Sequence, residues 1–230
     1  MNNAIAIFKK QLKDTVRNKT VLVQFVMFPI MTLIMNNTIK MPEMPENFFV
    51  NLFAAMYIGM APLTSIASII SEEKEKNTLR VLIMSNVKPH EYLLGIGSYV
   101  WFACMLGSIV ICAAGGYNLQ TGIAFMGIMA IGIMTSLLIG AIIGVGSKTQ
   151  MMATSITVPV MMIFSFVPML SMFNSRIEKI AKIIYSEQIS RMLSQISSLQ
   201  LNAANIGVVG MNIFVAAVIF IIIFRKCRLV

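Results

Sequence analysis

Three carboxylates close together, Glu72, Glu73 and Glu75, are the densest set of potential ligands in the sequence. Such a group could hold a cation, but Lys74 and Lys76 interleave with it and compete. A salt-bridged, solvated helix end is therefore the better reading. The one histidine, His90, stands alone in the same polar stretch, where a helix-end role is commoner than ligation. Cys104 and Cys112 fall in one apolar segment and Cys227 in the tail, with neither metal-site nor disulfide spacing. Gly146-Ser147-Lys148-Thr149 ends like a phosphate loop, but that motif needs Gly where Ser147 and Ile142 stand, and a strand before it. No Asp, Glu, His or Lys lies well inside an apolar segment, which argues against ion-coupled transport and intramembrane proteolysis. The expectation is a chain with no catalytic residue, no metal site and no cofactor of its own.

The elements around these residues are apolar. Hydrophobic residues make up 57% of the 230 and charged ones only 12%, where a soluble domain is about a quarter charged. With a mean hydropathy of +0.82, the chain reads as an integral membrane protein. Its net charge of +9 is explained by where the basic residues fall and does not point to nucleic acid. The 21 methionines suit either adaptable surfaces or ordinary packing and lipid contact.

Ser71 to Gly95 is the longest charged interruption, and so polar a stretch must lie outside the hydrocarbon. Asn77 or Thr78 can cap a short helix there. Leu79, Leu82 and Ile83 fall at i, i+3 and i+4, giving it one apolar face. Asn86 can close it, and Pro89 suits the first turn of the next helix. An apolar face outside the membrane needs something to bury itself against.

The run Glu73-Lys-Glu75, Thr78-Leu79, Leu82 and then Gly95 resembles the loop of type-2 ATP-binding-cassette (ABC) exporter permeases, in which E-[RK]-E-x-x-T-L-x-x-L follows the second span. Length and span order extend the resemblance over nearly the whole chain. Asn77 stands where the family often has Gly, Ser85-Asn86 where a Pro often follows, and Ile96 where a basic residue often follows the Gly. The resemblance implies that the loop docks on a separate cytoplasmic ATPase subunit, which would hold ATP and Mg. It makes Glu72, Glu73, Glu75, Thr78, Leu79, Leu82 and Ile83 the coupling residues, with Leu79 and Leu82 as anchors. It also implies pairing with a second permease copy.

Taken in order, residues 1–19 form a basic amphipathic helix on the membrane surface. Ile5, Phe8, Leu12 and Val16 make one face, and Lys9, Lys10, Lys13 and Arg17 the others. Six spans follow at 21–39, 48–70, 92–114, 122–145, 151–173 and 206–224, with the cytoplasmic coupling loop at 71–90. Pro29 should kink the first span, and Pro159 and Pro168 should break the fifth. Lys40 to Asn47 is a polar turn and Gly115-Gly116 a tight one. In the fourth span Ser136, Gly140 and Gly144 form a small-residue row suited to close helix packing. Within 174–205, Ile177, Ile180, Ala181 and Ile184 make one stripe and Ile189, Met192, Leu193 and Ile196 another. These are two short amphipathic helices on the outer leaflet or dipping into it, where the resemblance implies an outward closure.

Thirteen basic residues collect on the side of the amino terminus, the charged loop and the tail, against five on the other. The positive-inside rule then puts both termini and the loop in the cytoplasm. The expected molecule is an all-α polytopic protein of the bacterial cytoplasmic membrane, with one transmembrane domain over 1–230. Its expected function is the membrane subunit of an ATP-driven exporter of an apolar or amphipathic substrate: a drug, an antimicrobial or other peptide, or a lipid. The resemblance implies a cavity lined by the first, second and fifth spans. Met56, Tyr57, Met60, Met161, Phe164 and Met169 are candidates for it, packing or lipid contact being the alternative. A non-transporting sensor or immunity subunit, or an ion channel, remain the other readings.

Overall fold

A computed structural model describes residues 2–17, 19–39, 45, 47–85, 87–196 and 203–226. The described residues are helical, with no strand among them. In chain order the helices are α1 (Asn2–Arg17), α2 (Lys19–Thr38), α3 (Phe48–Glu75), α4 (Thr78–Met84), α5 (Pro89–Ala114), α6 (Leu119–Gly146), α7 (Gln150–Ser171), α8 (Ser175–Ala181), α9 (Tyr185–Ser194) and α10 (Ala203–Lys226). Five of them, α3, α5, α6, α7 and α10, are long and apolar enough to cross a bilayer. The apolar part of α2, Leu22–Thr38, is shorter.

Of the expected turn from Lys40 to Asn47, residues 40–44 and 46 lie outside the described residues, as do Asn86, Cys227 and Arg228 and the side chains of Val16, Arg17 and Ile83.

Helix α3 is the hub. It packs against α2, α5, α6, α7 and α9, and its apolar stretch is 83% buried, against 11% for α10. Small residues make this possible. A Cβ on Gly140 would stand 2.4 Å from the Leu63 carbonyl oxygen, and one on Gly144 2.9 Å from the Ile70 Cβ. Helix α7 also comes close to α3: a Cβ on Gly59 would lie 2.7 Å from the backbone of Phe164. Helix–helix contact this close is what association in lipid relies on, since lipid tails are as apolar as the side chains.

Helix α3 runs further than expected, continuing through the acidic run to Glu75 instead of ending near Ile70. It stops at Asn77, whose φ of 56° is left-handed. That conformation ends helices and suits Gly first and Asn next. The chain thus keeps, with an asparagine, the backbone that a glycine would provide. Helix α7 is continuous through Pro159 and Pro168, although the prolines were expected to break it. Membrane helices tolerate proline where neighbours meet the freed backbone groups.

Two ends can be told apart. Glu75 and Pro89 mark a charged end; Asn51, paired with Tyr117 at 3.1 Å, marks the far end. Helix α1 lies at the charged end, where Asn3 donates to Glu91 at 2.9 Å. Helix α2 leaves from there, and its Asn36 donates to the Ala114 carbonyl at 2.8 Å, at the opposite terminus of α5.

Helix α9 dips into the bundle from the far end, while α8 stays at its edge. Ile189, Met192, Leu193 and Ile196 are all buried. On α8 only Ala181 is fully buried and Ile180 is exposed. The expected stripe over 177–184 fails because α8 ends at Ala181 and Ile184 already caps α9.

Candidate functional site

The acidic run is engaged within the chain, each carboxylate differently. Glu72 pairs with Lys76 at 2.5 Å on the exposed side, and this contact holds the Lys76 ammonium above its ordinary pKa. Glu73 is buried; its Oε1 accepts from Lys10 Nζ at 2.6 Å and from Gln11 Nε2 at 2.7 Å. Glu75 accepts from the Gln150 backbone N–H at 2.6 Å, at the amino end of α7. Lys74 donates to the Val145 carbonyl at 2.6 Å, in the last turn of α6. An anion at a helix amino terminus and a cation at a carboxy terminus both complement the helix dipoles. The run therefore clamps α1, α6 and α7 to the end of α3. Ion-paired Glu72 and exposed Glu75 keep to the solvated helix end that the sequence suggested, whereas Glu73 is buried.

Helix α4 is built on this clamp. Thr78 does not cap it; its hydroxyl donates back to the Glu73 carbonyl at 3.0 Å. Leu79 is 1% exposed and belongs to the chain's own core, with Leu82 packed against that core. The expected anchors thus face inward. Among the described side chains of α4, the apolar ones left outside are Val81 and Met84, 61% and 79% exposed, beside exposed Arg80. They lie three residues apart, on one helix face. Sequence reasoning took the more hydrophobic stripe as the partner's, whereas its Leu79 and Leu82 join α4 to its own chain.

The six cavity candidates separate. Met60 and Met161 line a cavity of about 140 Å³ between α2, α3 and α7. Met56 is buried, and its carbonyl accepts from Ser165 at 3.2 Å. Tyr57 is enclosed on the α5 side, its hydroxyl donating to the Cys104 carbonyl at 3.3 Å. Phe164 packs on Tyr185 of α9 with ring centroids 4.9 Å apart. Met169 packs against the core from α7. The cavity's other walls include Gln24, Thr64, Ser68 and Thr157, which sequence reasoning missed. The available signal was the presence of amide and hydroxyl side chains inside otherwise apolar spans.

Above the cavity the bundle is shut. The Tyr185 hydroxyl lies 2.7 Å from the Ser136 hydroxyl, and Ser136 also donates to the Ile58 carbonyl at 2.6 Å. Ile58 lies ten residues into α3, about 15 Å from its far end, so α9 penetrates well into the spans. Its Glu187 is buried and tied to Arg191 at 2.7 Å and to Ser171 of α7 at 2.7 Å. Arg191 also pairs with Glu178 of α8 at 3.0 Å. Ser136, Gly140 and Gly144 form one continuous contact with α3, the first of them also holding α9.

The family model described as "ABC-2 family transporter protein" matches residues 1–225. No curated protein matches the chain.

Proposed function

Since the chain belongs to the ABC-2 family of transporter proteins, we propose that it is the six-span permease of an exporter driven by a separate ATPase. The family makes it the membrane subunit of an ABC transporter. The six-span count is supported by α2, which leaves the charged end beside α1 and reaches Ala114 at the far end. The positive-inside rule places the charged end in the cytoplasm.

The observation that carries the coupling reading is α4. It presents Val81 and Met84 outside the spans, while Leu79 and Thr78 fix it to α3. An ATPase that grips the outer face therefore pulls on α3, and α3 touches α2, α5, α6, α7 and α9. ATP binding and closure of two ATPases on a permease dimer would tilt these helices, opening the far end by withdrawing α9 from Ser136. Release from the far end after loading from the charged end is export. The substrate is apolar or amphipathic, because the spans offer it no charge.

The test is ATP hydrolysis and transport by the reconstituted permease–ATPase complex. Burying a Val or Met side chain is worth roughly 1.5–3 kcal/mol, and an Asp there also places a bare charge in the contact. Val81→Asp with Met84→Asp should release the ATPase and abolish transport without lowering the melting temperature of the permease. Retention of both activities by the double variant would overturn the docking surface.

A further inference from the structure

The cavity between α2, α3 and α7 has a chemical preference, and the inference rests on the transport reading above. The geometry points to a subsite that binds an uncharged secondary amide of the substrate between Gln24 and Thr157. The transported class is then an apolar peptide or lipopeptide.

Hydroxyl side chains inside these helices normally dispose of their proton on the carbonyl one turn back. Thr32 does so to Phe28, Thr64 to Met60, Thr135 to Ile131 and Thr154 to Gln150, all at 2.8–2.9 Å. Thr157 does not. It is 5% exposed, lines the cavity, and its hydroxyl has no partner. A buried hydroxyl without a partner is costly and asks for a ligand or water.

Gln24 supplies the complementary group. Its Oε1 accepts from the Ser65 hydroxyl at 3.1 Å and lies 3.3 Å from the Thr64 oxygen, whose proton is on the Met60 carbonyl. The carbonyl end of the amide is thereby committed to α3. The Nε2 hydrogens have no hydrogen-bond acceptor among the described residues, on a side chain that lines the cavity. One wall thus offers an N–H donor and the other a hydroxyl able to accept. A peptide group presents the matching pair, its C=O to Gln24 and its N–H to Thr157.

Among the described residues no ionisable side chain lines the cavity, so a charged group would be desolvated there without a counter-ion from them. At about 140 Å³ the space is well below the ~300 Å³ of the smallest drug-sized pockets. It holds one residue-sized portion of a longer molecule. Met60 and Met161 form adaptable apolar walls for the flanking side chains. Ser68 continues the polar wall toward the charged end, where Gln150 donates to it at 3.2 Å, giving a polar line of approach from that side.

The experiment uses the full permease–ATPase complex in lipid nanodiscs, without nucleotide, and two fluorescent probes. One is dansyl-leucyl-leucine methylamide; the other has the internal amide N–H replaced by an ester oxygen. Wild type should bind the amide about threefold to tenfold more tightly than the ester, the range for one neutral hydrogen bond. Thr157→Val should erase that preference by weakening the amide alone, and Thr157→Ser should restore it. Gln24→Leu should weaken both probes, since both keep the carbonyl. Equal binding of the two probes by wild type, binding of neither, or an unchanged preference in Thr157→Val would each overturn the subsite. The transport reading fails separately, if the probes bind as described but neither stimulates ATP hydrolysis nor is moved.

Discussion

Glu73 shows how one side chain can join three parts of the molecule. Its carboxylate holds Lys10 and Gln11 of α1, and its backbone carbonyl receives Thr78 of α4. The Glu73 side chain is 10% exposed and Lys10 40%. Hydrogen bonds to a charged group contribute roughly 1.5–3 kcal/mol when buried, and the exposure of Lys10 screens its share. Glu73→Gln should therefore destabilise the protein by about 1–2 kcal/mol. Hydrogen exchange should rise over residues 2–17 while α6 keeps its protection. Lys76→Ala, which removes the solvent-exposed partner of Glu72, should leave the melting temperature and exchange pattern unchanged. Equal effects of the two substitutions would mean that Glu73 is no clamp. The acidic run was legible in the sequence as a polar helix end. Which of its members turned inward was not, because that depends on α1 lying across the end of α3, a placement with no local signature.

At the scale of elements, the small-residue row of α6 is where sequence and packing speak most directly to each other. Ser136, Gly140 and Gly144 recur every fourth residue, and all three meet α3. Gly140→Ala should cost about 1–3 kcal/mol, the range for overpacking, because the added carbon meets the backbone oxygen of Leu63 and not a flexible side chain. Gly127→Ala on the same helix meets nothing within 4 Å and should stabilise by about 0.5–1 kcal/mol through helix propensity. Thermal unfolding in detergent should thus move in opposite directions for the two, and a shared sign would refute the contact. A second element-scale test concerns the α3–α4 corner. Asn77 sits at φ 56°, so Asn77→Gly should be neutral or slightly stabilising, whereas Asn77→Val should destabilise by about 1–2 kcal/mol. Differential scanning calorimetry would separate them. The helices and their apolar faces were legible because periodicity is local. The cavity was not, since Gln24, Thr64 and Thr157 come from three helices and line one space only after α2, α3 and α7 have packed.

At the scale of the whole molecule the decisive question is how many times the chain crosses the membrane, and the count turns on α2. Helices α3, α5, α6, α7 and α10 would by themselves leave the two termini on opposite sides. The ties of α1 to Glu73 and Glu91 hold the amino-terminal helix at the charged end. The carboxy-terminal end of α10 reaches the same side, where a Cβ on Gly146 would lie 3.9 Å from Ile223. Both facts put the start of α2 at the charged end, and its 20 residues reach about 30 Å, long enough for the sixth span proposed above. By the positive-inside rule, the thirteen-to-five split of basic residues predicts that the charged end is cytoplasmic. Arg80 on α4 and Lys179 on α8 are both exposed and stand at opposite ends, which suits them as reporters. In a background with Cys104, Cys112 and Cys227 replaced, a cysteine at position 179 should react with a membrane-impermeant maleimide in intact cells. A cysteine at position 80 should react only after permeabilisation, and one at position 9 should behave like position 80. Labelling of position 80 from outside would invert the orientation. Opposite behaviour at positions 9 and 80 would remove α2 as a span and leave five.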